Sequence, residues 1–294
     1  DPCGSGKSIV TSELIRLCAE RGTSTLLFSD REEIFLQNIN HVRNAGIEPH
    51  LISQKNKIVS DALIQLAMVE TFSRRKYKFN PDFILFDEGH RGAYKKIISQ
   101  YPDTKKILIT ATPCAKWMYG VFTGIVQTTS VPELVKEKHL VPALHWQKQD
   151  LFDDLKMEGD EFSDDTLQAH FSRPSLYGGV ISEWKEKANG KQTICYNVNN
   201  KHSHEMNEAF LKAGIRSALI TADTPNRADI FSAFERKEIQ VIHNTGIITY
   251  GNDIKSIECI VLNCAIGSLI KYIQAGSRGG RPDIENGKQN YIVL

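Results

Sequence analysis

Short apolar runs alternate with longer amphipathic stretches along most of this 294-residue chain, and that rhythm constrains its fold more than any other feature. Alternation of this kind is the βαβ pattern of a parallel sheet covered by helices. Ser24–Ser29, His50–Ser53, Leu63–Met68, Phe83–Phe86 and Lys106–Ile109 read as strands. Ser8–Glu20 and Arg31–Arg43 read as helices, stopped by Gly22 and by Asn44-Ala45-Gly46. From Leu140 the rhythm fades. Residues 150–165 hold eight acids and one lysine, the composition of a solvated connector. Near Gly190 the pattern restarts. Strands are expected at Gln192–Tyr196, Ser217–Thr221, Gln240–His243, Glu258–Asn263 and Asn290–Val293, with a helix over Glu205–Lys212. These breaks suggest a lobe over 1–138, a connector over 139–178 and a second lobe over 179–294. There is also an internal echo, because residues 44–52 (NAGIEPHLI) resemble residues 212–220 (KAGIRSALI). Each is a helix end, a glycine stop and the next strand; any αβ unit could look so, as could two copies of one lobe.

Composition narrows the function. Lys+Arg number 36 and Asp+Glu 35, for a net charge of +1. A broad basic coat for nucleic acid is excluded, and a local basic groove is not. No apolar run approaches the ~18 residues of a membrane span. The cysteines at 3, 18, 114, 195, 259 and 264 form no C-x-x-C pair, which argues against a zinc ribbon or disulfide framework. Scattered thiols fit a reducing, cytoplasmic setting.

Four segments carry chemistry. In Pro2-Cys3-Gly4-Ser5-Gly6-Lys7-Ser8 the glycines let backbone N–H groups wrap an anion at the start of a helix. Lys7 can reach β- and γ-phosphates, and the Ser8 hydroxyl can bind Mg2+. The full phosphate-loop pattern has glycine where this chain has Asp1. Phe83-Ile84-Leu85-Phe86-Asp87-Glu88-Gly89-His90 is an apolar strand ending in two carboxylates, at the sheet edge where α/β proteins bind ligands. There Asp87 can hold Mg2+ and Glu88 can polarise a water. Thr110-Ala111-Thr112-Pro113 follows another strand. Gln274-Ala275-Gly276-Ser277-Arg278-Gly279-Gly280-Arg281 spaces two arginines by three, and guanidinium forks suit phosphoryl oxygens. His202 and His204 show no third metal ligand, and Asp283, Glu285 and Lys288 are too compressed for a nuclease triad.

In this order, the segments resemble the superfamily 2 helicases and translocases of the DEAD/DEAH-like branch, which includes restriction-enzyme motor subunits and phage or bacterial DNA helicases. The resemblance runs over nearly the whole chain. Gly4–Ser8 looks like motif I, Arg31-Glu32-Glu33-Ile34 like motif Ia, and Asp87-Glu88-Gly89-His90 like motif II. Thr110-Ala111-Thr112-Pro113 looks like motif III, Thr193–Asn199 like motif IV and Thr249–Asp253 like motif V. Gln274 with Arg278 and Arg281 looks like motif VI. Ser277 stands where the family usually has glycine, and Lys255 where it usually has proline.

The resemblance implies two RecA-like lobes with parallel sheets and an ATP-hydrolysing enzyme. Gly4, Ser5, Gly6, Lys7, Ser8 and Gln274 would bind ATP, with Mg2+ on Ser8 and Asp87. Lys7, Asp87, Glu88, Arg278 and Arg281 would be catalytic. His90, Thr110 and Thr112 would couple nucleotide to lobe position, and Arg31, Thr71 and Thr249 would touch nucleic acid, DNA rather than RNA. Another P-loop ATPase and a non-hydrolysing nucleic-acid-binding remnant are the alternatives. No strand precedes the phosphate loop, so the chain reads as a core clipped at both ends, with further domains or subunits outside it and weak ATP binding alone.

Overall fold

The apolar runs pair as parallel strands. In the computed structural model, residues 1–56, 60–75, 79–90, 92–147, 154–158, 161–171, 173–245 and 254–294 are described. The chain divides into two units, Asp1–Ser130 and Val131–Leu294.

The first unit runs α1 (Lys7–Glu20), β1 (Thr25–Ser29), α2 (Glu32–Asn44), β2 (His50–Ile52), β3 (Ile64–Met68), α3 (Val69–Arg75), β4 (Phe83–Asp87), α4 (Lys95–Gln100) and β5 (Lys105–Ile109). Its sheet has the order β2-β3-β1-β4-β5, parallel throughout. Successive residues of the central strands feed opposite cores. Leu26, Phe28, Ile84 and Phe86 pack with Phe72, Tyr94 and Ile97. Leu27, Leu66 and Leu85 pack with Ile15, Phe35 and Ile39. Burial on both faces is why these strands lack polar alternation. β5 differs, with Lys105 exposed and Ile107 40 % exposed. It lies at the sheet edge, where lysine discourages pairing with stray chains.

The second unit contains α5 (Val131–Lys136), β6 (Ala143–His145), β7 (Met157–Glu158), β8 (Glu161–Phe162), α6 (Asp164–Phe171), α7 (Pro174–Ala188), β9 (Thr193–Asn197), α8 (Asn200–Lys212), β10 (Ser217–Ile220), α9 (Arg227–Glu235), β11 (Val241–Thr245), β12 (Cys259–Asn263), α10 (Leu269–Gly276) and β13 (Tyr291–Val293). Its main sheet is β10-β11-β9-β12-β13-β6, again parallel. Over five strands this repeats the order of the first sheet, with β9 in the place of β1 and β12 in the place of β4. Trp184 is fully buried, and its indole donates to Thr193 Oγ1 at 2.8 Å.

The sequence echo is a shared helix end. Gly46 (φ 82°) and Gly214 (φ 78°) both take left-handed backbone. Ile47 N–H donates to Val42 O, and Ile215 N–H donates to Phe210 O, the long-range bond of a Schellman cap. Both caps launch an outer strand, β2 or β10. Within the acidic stretch, residues 150–153 and 159–160 lie outside the described residues; β7 and β8 pair there as an antiparallel hairpin. Among the described residues, no helix is long and apolar enough to cross a membrane.

Candidate active site

The phosphate loop opens the first unit. Gly4 and Gly6 sit at φ 79° and 81°, a conformation that costs glycine nothing and other residues more. Gly6 precedes α1 without a side-chain cap, so the first N–H groups of the helix are open to an anion. Among the described residues, Ser5 Oγ is buried without a hydrogen-bond partner. Lys7 Nζ donates to Pro2 O at 2.8 Å, folding the lysine over its own loop.

β4 delivers the carboxylates. Asp87 ends the strand beside Ser29, the last residue of β1. Asn38, on the buried face of α2, donates through Nδ2 to Ser29 Oγ at 3.1 Å and to Asp87 Oδ2 at 2.9 Å. The Glu88 N–H donates to Asp87 Oδ1 at 2.9 Å. Burial pushes the Asp87 carboxyl up from its ordinary value; Asn38, the Glu88 N–H and the Lys7 charge pull it back, and Asp30 pushes it further up. A buried carboxylate near an acid and a lysine suits a cation as counter-charge.

The turn after β4 is tight. Glu88 has φ 46°, rare for a residue with a Cβ. A Cβ on Gly89 would lie 2.0 Å from Leu108 Cγ, so only glycine fits against β5. His90 Nδ1 has Thr110 Oγ1 at 3.1 Å and Glu88 Oε2 at 3.4 Å. Thr110 Oγ1 accepts the Thr112 N–H at 3.0 Å, and the Trp117 indole donates to His90 O at 3.2 Å. Glu88, His90, Thr110 and Thr112 thus form one polar line from β4 to the end of β5.

In the second unit, Ser268 Oγ caps α10 by accepting the Lys271 N–H. Gln274 lies on that helix, and the 3-10 turn Ser277–Gly280 carries Arg278 onward to Arg281. A Cβ on Gly279 would lie 2.2 Å from the Tyr291 ring, so the turn rests directly on β13. Gly280 O accepts the Val141 N–H at 2.8 Å, and Arg281 O accepts Lys288 Nζ at 2.9 Å. Arg278 and Arg281 are both half-buried.

The carboxyl edge of the second sheet is a buried polar layer. Asn263 Nδ2 donates to Asn197 Oδ1 at 3.0 Å, and Asn197 Nδ2 lies 3.4 Å from His243 Nδ1. His202 Nδ1 accepts the Val198 N–H at 3.3 Å. Burial holds His202 down at about 4, against a rise from Glu205. Burial and then His202 hold His243 at about 3.

Gly4–Ser8, Asp87, Glu88, His90, Thr110 and Thr112 therefore gather at one edge of the first sheet. Arg31 precedes α2, and Thr71 is buried in α3. Thr249 lies outside the described residues, as does all of 246–253. The sequence reading missed Asn38 and Trp117. Asn38 was detectable as a polar residue on the apolar stripe of Phe35, Ile39 and Val42. Among the described residues, no three His, Cys, Asp or Glu side chains cluster as a metal group.

Two family models match the chain. Residues 1–115 match the family model of the type III restriction enzyme res subunit, and residues 176–283 match the helicase conserved C-terminal domain. The chain is 26 % identical to the 51.5 kDa protein of a Lactococcus phage, covering 95 % of this chain and 61 % of that protein. It is 24 % identical to a Saccharomyces cerevisiae protein provisionally named ATP-dependent helicase IRC3, over 95 % of this chain and 45 % of the yeast protein. The chain thus spans about half the length of the curated relatives it matches. The solved fragment of a provisionally assigned HsdR subunit of a type I restriction enzyme from Vibrio vulnificus YJ016 superposes with a TM-score of 0.68 at 19 % identity, over 92 % of this chain and 52 % of that one.

Proposed function

The chain belongs to the DEAD/DEAH-like superfamily 2 helicases, of restriction-motor type, and on that premise we propose that it is the ATP-driven core of a translocase or helicase acting on DNA. What supports the reading is one arrangement: a glycine-rich loop, two adjacent carboxylates and the line from Glu88 through His90 to Thr110, all at one sheet edge.

The loop fits a triphosphate. Gly4 and Gly6 offer N–H groups, the Ser5 hydroxyl offers a further donor, and Lys7 exchanges Pro2 O for phosphate oxygens. Ser8 and Asp87 hold Mg2+, with Asn38 fixing the Asp87 carboxylate. When bound, ATP with Mg2+ supplies the phosphoryl bond whose hydrolysis drives the cycle. Glu88 orients the attacking water and accepts its proton. Arg278 and Arg281 stabilise the charge on the transferring group, a contribution of roughly 10³–10⁵-fold in related enzymes. Gln274 senses the nucleotide, while His90, Thr110 and Thr112 carry its state along the β4–β5 edge. Arg31, Thr71 and Thr249 are the proposed contacts to the nucleic-acid backbone, where affinity resides in phosphates.

The test is ATPase activity of the full-length protein with duplex DNA, single-stranded DNA and RNA. We expect stimulation by DNA above RNA, and loss of turnover in Lys7→Ala and Glu88→Gln. Normal stimulated turnover in either variant would remove that residue from the site. A rate indifferent to every nucleic acid would favour another class of P-loop ATPase.

A further inference from the structure

The second unit buries a phenol and a guanidinium that approach one another. Tyr196 lies on β9 at 2 % exposure, and among the described residues its hydroxyl makes no hydrogen bond of good geometry. Arg278 Nε, on the turn after α10, is also buried and unpartnered. Ala275, three residues before Arg278, packs in the same core as Tyr196, and the two side chains are close: burial pushes the Tyr196 phenol up to about 12, while the Arg278 charge and a hydrogen bond from its side chain pull the other way. A third such atom lies on the same face. Asn244 is in register with Tyr196 across β11 and β9, so both side chains leave the sheet on one side. Its Nδ2 donates to Cys195 O at 3.0 Å, which leaves Oδ1 buried and unpaired.

Three buried orphans on one face of one sheet are uncommon, since most buried polar atoms are bonded. Their chemistry is complementary. Arg278 Nε–H can only donate, Asn244 Oδ1 can only accept, and the Tyr196 hydroxyl does both. A small movement of the guanidinium, or one bridging water, would join them in series.

We infer that the Tyr196 hydroxyl, backed by Asn244 Oδ1, is the positioning group for Arg278. It engages the nitrogen nearest the chain and leaves the two terminal nitrogens free for a phosphoryl group. With Gly279 pressed on Tyr291, the turn is fixed from below by backbone contact and the guanidinium from the side by the phenol. This inference rests on the proposed role of Arg278 in hydrolysis and adds the residue that aims it.

Tyr196→Phe removes only the hydroxyl and keeps the ring in its core among Ile194, Phe231 and Ile242. In the full-length protein, kcat should fall about tenfold, the scale of one hydrogen bond to a charged group. KM for ATP and the melting temperature should hold. In an Arg278→Ala background, Tyr196→Phe should cost nothing further. A kcat equal to wild type, or an equal loss in both backgrounds, would overturn the proposal. The 15N resonance of Arg278 Nε–H gives a readout independent of hydrolysis. It should be protected from solvent exchange and lose protection in Tyr196→Phe. An unprotected Nε–H in the wild-type protein overturns the pairing whatever the activity. A protected Nε–H with normal turnover in Arg278→Ala would instead refute the catalytic role of the arginine and leave the pairing standing.

Discussion

Acid should weaken the second unit well before it reaches the ordinary carboxylate range. His202 and His243 are buried in the polar layer and held at about 4 and about 3, against an ordinary value of 6.5. Both imidazoles are neutral in the fold, whereas the unfolded chain takes up protons below pH 6.5. Stability is therefore fully present above 6.5 and is lost as the pH falls toward 4 and 3. Each pH unit in that window costs about 1.4 kcal/mol per histidine. From pH 7 to pH 5 the cost is about 2 kcal/mol each, or about 4 kcal/mol for the pair. That is a large share of the roughly 5–15 kcal/mol that holds a domain together. Trp184, fully buried in this unit, reports the transition. Urea titrations of a Trp117→Phe/Trp146→Phe chain at pH 7, 6 and 5 would follow it alone. His243→Leu removes one titrating group and its unpartnered Nε2. It should cut the loss between pH 7 and 5 to about 2 kcal/mol, although it also removes the contact of Nδ1 with Asn197 Nδ2 at pH 7. A flat profile in the wild-type chain, or an unchanged slope in His243→Leu, would refute the reasoning.

Two other expectations concern the first unit. Gly89→Ala forces a methyl to 2.0 Å from Leu108 Cγ and should lower the stability of that unit by about 1–3 kcal/mol, seen in thermal melts; an unchanged melting temperature would mean that the turn relaxes freely. Asn38→Ala removes the donor shared by Ser29 and Asp87. The Mg2+ concentration for half-maximal ATPase activity should rise by about tenfold, and an unchanged Mg2+ dependence would detach Asn38 from the metal site.

Much of this molecule was legible in its sequence, and for identifiable reasons. β1, β3 and β4 are buried on both faces, so their largely apolar runs announced parallel strands. Asp87 and Glu88 were visible because an apolar strand ended on them. β6 was not, because three residues give no periodicity and its partner, β13, lies almost 150 residues away (291 − 143 = 148). Tyr196 looked like one more apolar strand residue; only the approach of Arg278, from far along the chain, gives its hydroxyl a meaning. The need for glycine at position 89 shows only in the distance to Leu108.

The two sheets repeat one strand order, yet they end differently. Where β4 closes on Asp87, β12 closes on Asn263; where β1 closes on Ser29, β9 closes on Asn197. The second edge is neutral and bonds largely to itself, so its geometry does not depend on an ion. The first edge keeps a buried negative charge that a cation can neutralise. Whatever binds there draws the folded state toward it by mass action. The first unit should therefore melt at a temperature that rises with ligand concentration.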